Sequence, residues 1–67
     1  MKKPMSRLAA AEAMKKERLR RGWSLREAAK RSAIDKGTLQ ELERGGGGVK
    51  RLYRYAYVLG LQITVWK

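Results

Sequence analysis

Residues 35–44 form a short predicted helix whose outward side carries side chains able to recognise nucleic-acid bases. Leu39 and Leu42 face inward at i and i+3, so the polar residues of the segment lie on the opposite side. Lys and Arg can donate to guanine O6 and N7 or to phosphate, Gln can pair with adenine, and Glu can accept from cytosine N4. The residues predicted to face base edges are Lys36, Gly37, Gln40, Glu41 and Arg44.

Two members of this set have a plainer interpretation. Glu41 can instead form an ion pair with a neighbouring Lys or Arg. Gly37 carries no side chain, so it either permits close approach of the backbone to DNA or contributes nothing. The sequence leaves both alternatives open.

The elements that must position these residues lie between Ser24 and Gly45. Ser24 and Glu27 form a capping-box pattern at the start of one helix, and Asp35 can cap a second. The helical pattern is interrupted around residues 32–34, and Gly45 ends the second helix. Two short helices separated by a tight turn are the outline of a helix-turn-helix, whose second helix enters the DNA major groove.

Phosphate contacts are predicted beside the base contacts. Free backbone N–H groups at the start of a helix attract anions, so the Ser24 end of the first helix is one candidate. Basic side chains in the motif and after it are the others. The complete predicted DNA-contact set is Ser24, Leu25, Arg26, Lys30, Asp35, Lys36, Gly37, Thr38, Gln40, Glu41, Arg44, Lys50 and Arg51.

Two further helices are predicted on either side of the motif. Ser6 can cap a helix over residues 7–21, and residues 50–59 repeat apolar positions at i, i+3, i+4 and i+7. The inward residues of the earlier helix are predicted to be Leu8, Ala10, Ala11, Met14, Arg18 and Leu19, and those of the later helix Leu52, Tyr55, Ala56 and Leu59. Residues 45–48 are four glycines, which form either a flexible connector or a loop whose amides approach phosphate.

The last residues have a different period. Leu61, Ile63 and Val65 alternate with other residue types, and β-branched residues are common, which predicts a strand. A lone strand leaves backbone groups unpaired, so the simplest solution is antiparallel pairing with the same strand of a second copy. The alternative is a tail folded back irregularly over the core. The predicted dimer interface is Leu61, Gln62, Ile63, Thr64, Val65 and Trp66.

The charge of the chain indicates a polyanionic partner. Its 67 residues include 17 Lys+Arg against 6 Asp+Glu, a net charge of +11. Nucleic acid is the first candidate, an anionic membrane surface the second, and solubility alone the third. No apolar run approaches the roughly 20 residues of a membrane span, and no signal peptide is predicted.

Catalytic chemistry is poorly supported. The chain contains neither His nor Cys, which excludes a disulfide framework and a Cys/His metal site. The hydroxyl groups lack a plausible base, and the carboxylates lie where helix caps and ion pairs would use them. We therefore predict no enzyme activity, no catalytic or metal-binding residue and no cofactor.

The chain resembles the lambda-repressor/Cro (Xre-type) helix-turn-helix family over about residues 14–61. The resemblance rests on a set of residues at family spacing, none of them specific alone. Before and within the first motif helix they are Arg18, Gly22, Trp23, Ser24, Glu27 and Ala29. From the turn onward they are Ile34, Thr38, Leu39, Leu42, Glu43, Gly45, Leu59 and Gly60.

This resemblance implies a compact five-helix domain and an ion pair between Arg18 and Glu43 that is structural rather than DNA-contacting. Three features depart from the family pattern. Ala33 stands where Gly is frequent, Ala28 where Leu is common, and the glycine loop is short. The helix followed by LGLQITV resembles the HipB-like antitoxin subset, which implies dimer pairing through C-terminal strands and a toxin partner.

The sequence thus predicts an all-α, five-helix domain with a C-terminal strand that pairs across a dimer. Residues 1–5 are a basic flexible tail, 6–60 the helix-turn-helix domain and 61–67 the dimerisation strand. The predicted function is a sequence-specific, homodimeric DNA-binding regulator, most simply a cytoplasmic repressor that associates with the nucleoid when bound to DNA. The alternative is an antitoxin or adaptor that binds a protein partner and regulates its own operon.

Overall fold

The computed structural model describes residues 4–66, and that range contains four helices. Positions 1–3 of the predicted flexible tail and Lys67 of the predicted strand lie outside it. The helices are α1 (Arg7–Arg20), α2 (Leu25–Ser32), α3 (Lys36–Leu42) and α4 (Val49–Val58). Among the described residues, we find no helix with both the length and the apolar character that a membrane crossing requires.

Polar side chains fix where the first three helices begin. In each case the residue before the helix accepts a hydrogen bond from the backbone N–H three positions later, which satisfies a donor that the helix leaves unpaired. The bonds run from Ala9 to Ser6 Oγ (3.1 Å), from Glu27 to Ser24 Oγ (3.0 Å) and from Thr38 to Asp35 Oδ2 (3.0 Å). These three caps confirm the predicted helix starts.

The turn between α2 and α3 is built by three residues. The Ser32 hydroxyl donates to the Ala28 carbonyl (2.8 Å) and accepts from the Ile34 N–H (3.2 Å). Ala33 adopts the left-handed conformation, with φ of 58°, and Ile34 turns into the core. A left-handed residue cannot continue a right-handed helix, so the predicted interruption at residues 32–34 is confirmed.

The core lies between α1, α3 and α4, with α2 packed against them through its small residues. The largest fully buried side chains are Met14, Leu39, Leu42, Leu52, Tyr55 and Leu59. Ala28 is also fully buried. Its small side chain lets α2 approach its neighbours closely.

Two residues of the predicted α1 stripe lie on the wrong side. Leu8 and Leu19 are 67% and 58% exposed, whereas Met14 is fully buried. At 3.6 residues per turn, Leu8 and Leu19 point about 120° and about 140° away from Met14, which is too far for one buried stripe. The inward face of α1 is narrower than predicted.

The prediction of five helices is wrong for the described residues. The glycine run leads directly into α4, with Gly45 and Gly47 at φ of 99° and 79°. Only glycine takes these conformations readily, so the run cannot continue α3 or form a helix of its own. After Gly60 only six described residues remain, and they run without helix.

The predicted C-terminal strand across a dimer is also wrong. Residues 61–66 contain no strand; Val65 makes an isolated parallel bridge to Met5 of the same chain. Met5 N donates to the Thr64 carbonyl (2.8 Å), and Trp66 N donates to the Met5 carbonyl (3.3 Å). Because the N-terminal segment satisfies these groups, the tail folds back over the core, which is the alternative that the sequence left open.

The left-handed turn yields a stability prediction. Replacing Ala33 by Gly should stabilise the fold by roughly 0.5 kcal/mol, because relief of left-handed strain outweighs the added entropy of the unfolded chain. Replacing Ala13 by Gly inside α1 should instead destabilise by about 1 kcal/mol. Urea unfolding of the two variants measures both values. Destabilisation by Ala33→Gly would contradict the assigned turn.

Candidate nucleic-acid interface

A buried ion pair joins α1 to the residue that follows α3. Arg18 donates from Nε to Glu43 Oε2 (2.8 Å) and from Nη2 to Glu43 Oε1 (3.1 Å). The third guanidinium nitrogen donates to the Trp23 carbonyl (2.8 Å), and the Tyr55 hydroxyl donates to Glu43 Oε2 (2.5 Å). The structure therefore brings together Arg18 and Glu43 and adds a partner from α4.

The charges and protons of this cluster are fixed by their surroundings. The hydrogen bonds to Glu43 raise the pKa of Arg18 above its usual value. Burial, together with the hydrogen bond to Glu43, raises the pKa of the Tyr55 hydroxyl well above its usual value. Tyr55 therefore remains a donor at physiological pH, and the Glu43 carboxylate holds partners from two other elements at once.

The outward side of α3 is open to solvent. Its predicted base-contacting residues are all exposed: Lys36, Gly37, Gln40, Glu41 and Arg44. Arg44 Nη1 lies 3.7 Å from Glu41 Oε1, a loose ion pair between two well exposed side chains. Glu41 thus makes the ion pair that the sequence offered as its plainer role, and such a pair holds neither side chain strongly.

Asp35 and Thr38 hold each other at the start of α3. The Thr38 hydroxyl donates to Asp35 Oδ1 (2.7 Å) in addition to the backbone cap. This hydrogen bond lowers the pKa of Asp35, and the nearby positive charge of Arg51 adds to the effect. A Cβ at Gly37 would lie 3.3 Å from Asp35 Oδ2, so the glycine leaves room for the capping carboxylate.

A basic cleft is formed by α4 close to the start of α3. Its lining residues are Lys50, Arg51 and Arg54, and its volume is about 330 Å³. Arg51 is near enough to act on the Asp35 carboxylate. Arg51 thus brings the cleft close to the start of α3, and three basic side chains in one cleft are suited to phosphate.

A smaller cleft of about 170 Å³ runs along the side of α3 towards its C-terminal end. Leu25, Gln40 and Arg44 from the predicted contact set line it together with Lys15 and the Arg18–Glu43 pair. Leu25 is half-buried and packs against the core. The Leu25 side chain therefore lies between the start of α2 and the outward side of α3.

The start of α2 supplies the remaining predicted contacts. Ser24 and Arg26 are exposed there, and Lys30 is exposed in the last turn of the same helix. The Glu27 carboxylate accepts from Arg31 Nε (2.7 Å), so it neutralises Arg31 rather than Arg26 or Lys30. The backbone N–H groups at the start of α2 therefore have the basic side chain of Arg26 beside them, whereas Lys30 lies in the last turn of the helix.

Several residues that shape this surface were not predicted from the sequence. Arg54 lies one helical turn from Arg51, so the basic i, i+3 repeat could have identified it. The Arg7 guanidinium donates to the carbonyls of Gly46 and Gly47 and ties the loop after α3 to α1. No local pattern marks Arg7, or the role of Tyr55, because their partners are distant in sequence.

Comparison with known proteins gives consistent matches. The model of the helix-turn-helix family HTH_3 matches residues 14–66. A chain of the HipA–HipB–O2–O3 complex is 26% identical with a TM-score of 0.77, covering 100% of this chain and 97% of that chain. The clp gene regulator ClgR from C. glutamicum is 34% identical with a TM-score of 0.70, covering 90% and 80%. No curated protein sequence matches.

A HipB–O2 20mer complex is a further structural neighbour. It is 26% identical, with a TM-score of 0.78, and covers 100% of this chain and 96% of that chain. These matches confirm the resemblance to the Xre-type family and to its HipB-like members.

The buried ion pair predicts that the same Glu→Gln change lowers the free energy of unfolding by different amounts at a buried and at an exposed position. Glu43→Gln should lower the free energy of unfolding by about 3 kcal/mol, because it leaves the Arg18 charge buried without a counter-charge. Glu41→Gln is the matched control, since the same chemical change at an exposed pair should cost less than about 1 kcal/mol. Urea unfolding of both variants measures the difference. Equal costs would show that the Arg18–Glu43 pair contributes no more than a surface pair.

The cap of α3 yields a pH prediction. Because the folded pKa of Asp35 is lowered, its contribution to stability is present above the unfolded pKa. The contribution is lost as pH falls below the unfolded pKa and through the lower folded pKa. Asp35→Asn retains a capping oxygen but does not titrate. Over this range the unfolding free energy of the wild type should fall relative to that of the variant; parallel curves would contradict the assignment.

Proposed function

The chain belongs to the HTH_3 helix-turn-helix family, and on this premise we propose that it is a homodimeric repressor that recognises double-stranded DNA sequence-specifically, with α3 in the major groove. It is a DNA-binding regulator. The observation that carries the finer proposal is the polar outward side of α3, flanked by exposed cations on α2 and α4.

Base recognition is assigned to exposed side chains on α3, and to Arg44 just after it, that are not committed to the fold. Lys36, Gln40 and Arg44 can donate to base edges, and Gln40 suits adenine N6 and N7. Asp35 and Thr38 are engaged with each other, so we assign them the role of fixing the start of α3. Specificity then rests on few side chains held on a short, rigid helix.

Phosphate binding is assigned to the helix starts and the basic side chains around them. One group consists of the N–H groups at the start of α2 with Arg26, together with Lys30 in the last turn of the same helix, and the cleft of Lys50, Arg51 and Arg54 forms the other. Contacts of this kind fix the position of the protein on the duplex without recognising sequence. They also release counterions, so affinity should fall steeply as salt rises.

Two copies would place one α3 in each of two half-sites, spaced one helical turn or about 34–36 Å apart. Bivalent binding increases affinity without any new contact within one half-site. The proposed location is the cytoplasm, where the DNA partner lies. We assign no catalytic role, because the chain has no His and no Cys and every proposed contact is a binding contact.

A second candidate function is that of an antitoxin that binds a protein partner and regulates its own operon. The HipA–HipB–O2–O3 complex favours it, since a chain of that complex is similar to this one along the full length of both. This function would be supported if the chain, purified from its native host, carried a tightly bound protein that is encoded by a neighbouring gene. Purification of the chain alone at full DNA affinity would count against it.

Two substitutions separate base recognition from phosphate binding. Gln40→Ala should cost about 1–3 kcal/mol on a specific site and relax the preference at one base pair. Lys50→Ala should weaken binding to all duplexes alike and reduce the salt slope by about 1. Fluorescence anisotropy with specific and shuffled duplexes at several salt concentrations measures both effects.

The charge-matched control is Lys16→Ala, because Lys16 is exposed on α1 and belongs to neither predicted group. Its effect should be smaller than that of Lys50→Ala. If Gln40→Ala weakened specific and shuffled duplexes equally, α3 would not be the element that recognises bases.

A further inference from the structure

The outer face of α1 carries an exposed stripe that contains none of the thirteen predicted DNA contacts. Leu8, Glu12, Lys15 and Leu19 form this outer stripe, and all four are exposed. They line a groove of about 450 Å³ together with Ala11, Lys16 and Glu43. Two large apolar side chains are thus exposed on one helix face, where a partner could cover them.

The spacing of the outer stripe is that of a helix-pairing seam. Its members are separated by four, three and four residues, the alternation that keeps a and d positions of a heptad on one side of a helix. The apolar residues occupy the two ends and the charged residues the middle. A partner helix lying along α1 would therefore meet leucine, charge, charge and leucine in succession.

The stripe is complementary to itself when the second helix runs antiparallel. A two-fold axis midway between residues 13 and 14 places Leu8 opposite Leu19 of the second copy and Glu12 opposite its Lys15. The same axis gives both contacts twice, as an isologous interface requires. In the parallel orientation each charge would instead face its own like charge.

Glu12 is the carboxylate that this arrangement needs. Within residues 4–66 it makes neither an ion pair nor a hydrogen bond, whereas each of the other five carboxylates in that range makes at least one of these. A second copy would supply Lys15 as its partner. The charge balance also matters, because two chains of +11 repel each other unless opposite charges meet at the contact.

We propose that the outer stripe of α1 is a homodimer interface, with two α1 helices packed antiparallel about this axis. The proposal rests on the homodimer of the proposed function but not on DNA binding. The groove shares no residue with the thirteen predicted DNA contacts, although Lys15 and Glu43 line both this groove and the cleft that holds Gln40 and Arg44. Two leucine layers make a small contact of the weak, reversible class, which favours assembly where DNA gathers the copies.

Cysteine cross-linking tests the register, because the chain has no native cysteine. A mixture of Leu8→Cys and Leu19→Cys chains should form a disulfide-linked dimer under mild oxidation, with and without DNA. Either variant alone should cross-link at least tenfold less, because the antiparallel register separates like positions. Equal cross-linking of each variant alone, or none in the mixture, would overturn the proposal.

Charge reversal tests the ionic contacts without altering the leucines. Glu12→Lys and Lys15→Glu, each alone, should weaken self-association about tenfold by placing like charges opposite each other twice. Their equimolar mixture, or the double reversal in one chain, should restore it. Sedimentation equilibrium measures the dissociation constants, and circular dichroism verifies folding.

Two further outcomes would overturn the proposal while leaving the proposed function intact. One is unchanged self-association of both single variants together with retained specific DNA binding. The other is saturable binding of an acidic protein partner that is lost on Leu19→Ala while self-association is unaffected. If the unaltered chain did not bind DNA sequence-specifically, the proposed function would be wrong. The cross-linking result would still test the α1 interface.

Discussion

The Arg18–Glu43 ion pair is the contact on which the arrangement of the helices depends. Its two hydrogen bonds join the end of α1 to the end of α3, and the Tyr55 hydroxyl adds α4. The remaining guanidinium nitrogen binds the carbonyl of Trp23, just before α2 begins. A charged pair withdrawn from water requires its remaining hydrogen-bonding groups to be satisfied. Those bonds hold the C-terminal end of α3 in a fixed position against α1 and α4.

A fixed α3 makes the exposed side chains useful for recognition. Discrimination between bases depends on donors held within a fraction of an ångström of their acceptors, and a short helix alone would not hold them. Leu39 and Leu42 bury the inward side of α3, and Asp35 and Thr38 close its start. In the proposed function, the surplus of positive charge supplies attraction to the duplex, and this rigid segment supplies the choice of sequence.

The helix-turn-helix was predictable because contacts between neighbouring residues define it. Features that depend on contacts distant in sequence were not predictable. Caps at Ser24 and Asp35, with the break at Ala33, depend on neighbouring residues and can be recognised in one sequence. The tail is the opposite case: its alternation is typical of a strand, yet Met5 binds Thr64 and Trp66 across the whole chain. The role of Tyr55 was missed for the same reason. The exposed α3 residues were predictable as surface, but their base contacts depend on a partner outside the chain.

The most direct measurement is selection of bound duplexes from a random library, followed by titration of the chain with the selected site and a shuffled copy at physiological salt. If α3 recognises sequence as proposed, the selected duplexes should share a motif whose half-sites are spaced by about one helical turn. The chain should bind the selected site at least a thousandfold more tightly than the shuffled copy. Equal affinity for the two duplexes would contradict sequence-specific recognition by α3.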